Sequence, residues 1–217
     1  MAGMLRRRRD YAIGLVLLFF AAVLSSEVWW WSATSRNQAA CLETRQVAVV
    51  FYAGNVAEDH SRLESAFDLV RSECVASIAL VGGDRPGRGF NGSEANASIL
   101  LVMGMPRERI LLGSGSFDSR TNLDEMAGIL DARGWQSGIL VSDCLHLDRL
   151  ARLSRPLTRF RLDRSCSRAP PLGVRLWRSG YEVVAYTSSV LPPGWRSWMV
   201  CWLRAQSSNS DENPSNE

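Results

Sequence analysis

Two side chains in SDCLHLDR, residues 142 to 149, have the chemistry of a site. His146 can shuttle a proton near neutral pH, and Arg149 can clamp a phosphate through two hydrogen bonds. Their spacing of three places both on one face of a helix. Ser142 and Asp143 end the apolar run before them, so the group falls where a buried strand hands over to a helix. A solvated helix start is the plain alternative.

Three further loops carry candidates of the same kind. LVGGDRPGRGFNGSEA, residues 80 to 95, ends an apolar run in Gly82 and Gly83 and opens a helix at Glu94. The glycines would let the backbone approach an anion, or simply make a turn. Ser93 is expected to cap the helix, leaving Glu94 either to complement its dipole or to act as base, metal ligand or hydroxyl binder. SFDSRTN, residues 116 to 122, follows Gly113 and Gly115 and supplies Ser116, Asp118 and Asn122 as possible phosphate or cofactor contacts, with Asp118 or Ser119 as a helix cap. Gly54 and Asn55 come from the first loop, Arg62 from the helix after it, and His60 reads as a surface or capping residue. Asn91 and Asn96 fit the glycosylation pattern, a short motif that often arises by chance.

Composition removes several chemistries. All 25 basic residues are arginine, so a Walker-type phosphate loop and a Schiff base lack their lysine. The chain has two histidines and five cysteines without a C-x-x-C pair, and Glu94, Asp118 and Asp143 match no ligand spacing, so no metal site is expected. The net charge of +3 is concentrated in Arg6 to Arg9, which leaves no basic face for nucleic acid. No cofactor is specified.

These candidates must be held by an alternation of strands and helices. The runs 46–52, 77–83, 109–113 and 137–143 read as strands buried on both faces, with amphipathic stretches between them. The expected fold is α/β: a doubly wound, mostly parallel sheet in a Rossmann-like three-layer arrangement. All four candidate groups would then meet at the carboxyl ends of the strands, where such sheets bind ligands. Residues 181–186 read as a further strand, 195–204 as a tryptophan-rich final helix and 205–217 as a disordered tail.

Ahead of this domain, RRRRDYAIGLVLLFFAAVLSSEVWWW has the order of a membrane anchor: basic cluster, apolar run, tryptophans. Tyr11 to Trp31 would reach roughly 30 Å as a helix and put Trp29 to Trp31 at the far interface. A cleaved signal peptide is the alternative. The expected organisation is a basic stub and single-pass transmembrane helix over residues 1–35, a linker over 36–44 and the α/β domain over 45–204. With the arginines cytoplasmic, that domain lies outside the cytoplasm, in the periplasm if the cell has two membranes. An oxidising compartment permits disulfides, and Cys144 with Cys166 is one conceivable pair.

Taken together, these residues resemble the SanA/ElyC/YdcF-type family of bacterial envelope proteins over about residues 45 to 155. The likeness is carried by Gly54, Arg62-Leu63, Val81-Gly82-Gly83, Glu94-Ala95, Gly104-Met105-Pro106, GSGSFDSRTN and SDCLHLDRL. Ser116, Asn122, His146 and Arg149 match the family pattern. Gly113 and Thr121 stand where it has glutamates, Asp118 where it has asparagine, Ser119 where it has threonine and Asp143 where it has serine. The resemblance implies an inner-membrane protein with a periplasmic domain serving envelope integrity, cell-wall or surface-polysaccharide assembly. Some relatives are reported to bind S-adenosylmethionine, and others are linked to lipid-carried glycans. On that reading His146 is the acid or base, Arg149 and Arg62 hold phosphate, and Glu94 orients a hydroxyl or a metal-bound water. A non-catalytic scaffold and a small-cofactor binder are the alternatives.

Overall fold

The apolar runs pair side by side into one sheet. β1 (Arg45–Phe51), β2 (Val75–Val81), β3 (Ile110–Leu112) and β4 (Ser137–Ser142) occupy the four expected positions. β5 (Arg161–Cys166) joins them to give the order β3-β2-β1-β4-β5, with every pair parallel. The computed structural model describes residues 2–38, 44–84, 89–113, 115–116 and 118–190; the expected final helix and tail lie outside them.

The helices split two and two over the sheet. Ala48 and Val50 face α2 (Val56–Arg71) and α3 (Gly92–Val102), packing with Leu63, Ala66 and Leu100. Val47, Val49 and Phe51 face α4 (Ser119–Ala132) and α5 (Cys144–Leu153), packing with Leu123, Met126 and Leu147. Each buried Val, Leu, Met or Phe among them stabilises the fold by roughly 1.5–3 kcal/mol. The result is the doubly wound three-layer fold expected from the sequence. Its strand order reverses between β1 and β4, the topological switch point at which open α/β sheets take ligands.

Two expectations for the edges are corrected. Residues 181–186 belong to α6 (Leu172–Val190), because its inward residues, Ser179, Glu182 and Ala185, recur at helical spacing while Val183 and Val184 are exposed. The fifth strand is instead RLDRSC. An edge strand is only half covered, so it needs no apolar run.

The long helix α1 (Ala2–Arg36) overruns the expected boundary at residue 35, and the fold claims its last turns. Val16–Arg36 is long and apolar enough to cross a membrane, with Val16 to Phe20 and Leu24 exposed. From Ser26 onward one face docks. Ser26 Oγ meets Ser179 Oγ at 2.7 Å, Glu27 pairs with Arg175 through bonds of 2.9 and 2.8 Å, and Trp30, 3% exposed, donates its indole N–H to Ser179 Oγ. Trp30 therefore faces α6, while Trp31 is exposed. At the start of the expected linker, Asn37 is 1% exposed, and its amide nitrogen donates to the Cys144 carbonyl and to Asp148. A disulfide joins Cys144 to Cys166, tying α5 to β5, and Cys74 is disulfide-bonded too.

Candidate functional site

The amino terminus of α5 is fixed from behind. Asp143 caps it, one carboxylate oxygen accepting the His146 amide at 2.9 Å. The other oxygen takes Arg62 Nη2 at 2.7 Å, and Arg62 Nη1 donates to the Phe51 carbonyl at 2.6 Å. Arg62, 1% exposed, thus crosses the crevice between β1 and β4 and ties their ends together. Both terminal nitrogens are committed within the fold, which makes Arg62 and Asp143 a buried clamp beneath the site.

His146 sits above that clamp, 7% exposed and edge-on to Phe51. Its Nδ1 lies 2.7 Å from Ser142 Oγ and its Nε2 3.1 Å from Ser119 Oγ. Arg149 Nη1 donates to that same Ser119 oxygen at 2.6 Å. A guanidinium can only donate, so the serine proton is free to point at Nε2. In the tautomer with its proton on Nδ1, directed at Ser142, Nε2 accepts from Ser119. Burial pushes the His146 pKa well below the ordinary 6.5, and the Arg149 and Arg62 charges push it further the same way. The lowered pKa favours the neutral ring.

Arg149 is held by α6. Its Nε donates to one Glu182 oxygen at 2.7 Å and its Nη2 to the other at 3.1 Å. Burial by itself would lower the arginine pKa, but the hydrogen bond and charge of Glu182 outweigh it and raise the value.

The first turn of α4 completes the group. Asp118 caps it, accepting the Arg120 and Thr121 amides, and Thr121 answers in a capping box. Asn122, one turn after Ser119, is 7% exposed, and its Oδ1 is buried with no hydrogen-bond partner among the described residues. Its amide lies against Gly82, whose φ is +92° and whose absent Cβ would come within 2.7 Å of Nδ2. Gly83 is required by packing instead: a Cβ there would strike the Tyr52 ring and Gly92.

Other expected residues fall outside this cluster. Ser116 hydrogen-bonds Glu125, whose carboxylate fills the space a side chain at Gly113 would need. Glu94 is exposed on the first turn of α3; the cap there is Asn91, because Ser93 Oγ turns back to the Leu80 and Gly82 carbonyls. Gly54 leads into Asn55, the cap of α2. His60 is exposed and pairs with Glu64. Asn96 is buried and donates to Asp59, so it is closed to glycosylation.

Ser119, Ser142 and Glu182 carry much of this arrangement, and Glu125 and the buried Asp59 hold loops beside it, without having stood out as site residues. Burial raises the Asp59 pKa against the hydrogen bonds it accepts from Ala53 and Asn96. Ser142 and Ser119 had a legible signal in their places, at a strand end and a helix start. Glu182 had none, because residues 181–186 read as a strand. No group of three or more His, Cys, Asp or Glu among the described residues is placed to hold a metal.

Fold and site define a doubly wound α/β domain with a polar cluster at its carboxyl rim, docked on the end of one long apolar helix. No family model, curated protein or solved structure matches the chain.

Proposed function

We propose that this chain is a single-pass inner-membrane protein whose α/β domain lies in the periplasm and acts on a phosphate-linked envelope substrate, such as a lipid-carried glycan. One observation carries the reading: α5 bears both His146 and Arg149, and the same helix receives the end of α1 through Asn37, which bonds Cys144 and Asp148. A substrate held by its lipid in the bilayer would meet the site without leaving the membrane surface. The disulfide between Cys144 and Cys166 supports an oxidising compartment. The sequence resemblance to the SanA/ElyC/YdcF-type family favours envelope integrity or cell-wall and surface-polysaccharide assembly as the setting.

In this reading neutral His146 is the acid-base group and Arg149 the anion contact, with Arg62 and Asp143 as their support. Glu94 is an exposed rim residue that meets the substrate's hydroxyls. The test is turnover of polyprenyl-phosphate and diphosphate-linked sugars by the full chain, wild type against His146→Ala.

The ion pair between Arg149 and Glu182 favours a second reading, a non-catalytic envelope scaffold. There the cation serves to hold α6 rather than a substrate. A His146→Ala chain that keeps full envelope function would support the scaffold.

A further inference from the structure

We propose that Ser119 Oγ is a nucleophile toward phosphorus electrophiles, with His146 as its general base. The natural electrophile follows from the phosphate-linked reading above; the nucleophile is testable without it.

Three features of the geometry converge on one oxygen. Ser119 Oγ stands 3.1 Å from His146 Nε2, which can take its proton in the tautomer that directs Nδ1–H at Ser142 Oγ, 2.7 Å away. A hydroxyl donating to a neutral imidazole is the arrangement from which serine loses its proton on attack. Arg149 Nη1 donates to the same oxygen at 2.6 Å, so negative charge developing there meets a donor held in place by the buried Arg149–Glu182 ion pair. Ser119 is also the first residue of α4, a helix of 14 residues whose positive end favours an anionic electrophile.

The surroundings offer a further polar contact. Asn122 follows Ser119 by three residues, on the same helix face, and its buried Oδ1 has no partner among the described residues. Gly82 lies against the same side chain and leaves no Cβ in the way. A hydroxyl or amide on the substrate would satisfy that oxygen. Ser65 and Ser98 lack this setting: they return their hydroxyls to carbonyls one helical turn back.

The step balances on these groups. The Oγ–P bond forms as the bond from phosphorus to the leaving oxygen breaks. The Ser119 proton passes to His146 Nε2 and from there to the leaving oxygen. Water or an acceptor hydroxyl, deprotonated by the same nitrogen, then displaces Ser119 and takes the phosphoryl group, and the proton returns to Oγ.

The test treats the full chain in detergent micelles with an alkyl fluorophosphonate, in which Oγ–P forms, P–F breaks and fluoride leaves. Peptide mass spectrometry should find the adduct on Ser119, lost in Ser119→Ala and formed about 100-fold more slowly in His146→Ala. Ser98→Ala should label as wild type does. If Ser119→Ala fails to fold, Ser119→Cys carries the test: iodoacetamide should alkylate the new thiol, and His146→Ala in that background should slow it by a similar factor. A folded wild type that stays unlabelled, or that labels on another residue, overturns the proposal. Labelling at Ser119 without turnover of lipid-linked phosphates would uphold the nucleophile and remove the substrate class. Turnover dependent on His146 with Ser119 unlabelled would do the reverse.

Discussion

Glu182 on α6 grips Arg149 on α5 with both carboxylate oxygens, at 2.7 and 3.1 Å, and is itself only 2% exposed. The remaining terminal nitrogen of that guanidinium reaches Ser119. The helix that covers the site is therefore tied to its chemistry through one side chain.

Removing the carboxylate should be costly for that reason. Glu182→Ala leaves a buried guanidinium without its counter-charge, and the expected loss is about 3 kcal/mol of stability. Urea unfolding of the full chain in detergent reads it. The double variant Glu182→Ala/Arg149→Met should recover part of the loss, because no orphaned charge remains.

The neutrality of His146 has a pH signature. Its folded pKa is lowered by burial and by Arg149 and Arg62, so between that value and 6.5 the unfolded chain binds the extra proton. Stability from this group is complete above 6.5 and falls as the pH drops through it toward the folded value. Urea midpoints between pH 7.5 and 5 should decline more steeply for wild type than for His146→Gln. Asp59 contributes with the opposite sign, its raised pKa giving stability that fades as pH rises above 3.8.

The centre of the fold was legible because a parallel strand buried on both faces must be apolar throughout, as VAVVF of β1 is. The His146 and Arg149 pair was legible from type and spacing. The edges were not: RLDRSC of β5 carries three charges on a half-covered strand, and α6 turns polar Ser179 and Glu182 inward. Arg62 illustrates the harder limit. Its type suggested phosphate, and only the positions of Phe51 and Asp143 reveal that both its terminal nitrogens are taken within the fold.

Gly82 should tolerate no side chain. At φ +92°, an alanine would be strained, and its Cβ would press to 2.7 Å from Asn122 Nδ2. Gly82→Ala should destabilise by about 1–3 kcal/mol, and Asn122→Ala in the same chain should relieve part of that by removing the carboxamide. Thermal unfolding of the single and double variants checks both statements.

The bond between Cys144 and Cys166 closes a separation of 22 residues at the root of α5. Replacing both with serine should cost about 3 kcal/mol from the loop-closure entropy. Hydrogen exchange should quicken at the His146 amide, whose cap on Asp143 lies next to the lost bond.

The most direct measurement follows polyprenyl-phosphate and diphosphate-linked sugars by mass spectrometry, with the full chain in bilayer nanodiscs. Product is expected from wild type, with at least a 100-fold slower rate from a folded His146→Ala chain, roughly the contribution of a general base. Product formed equally by the two proteins, or none from a folded wild type, would contradict it.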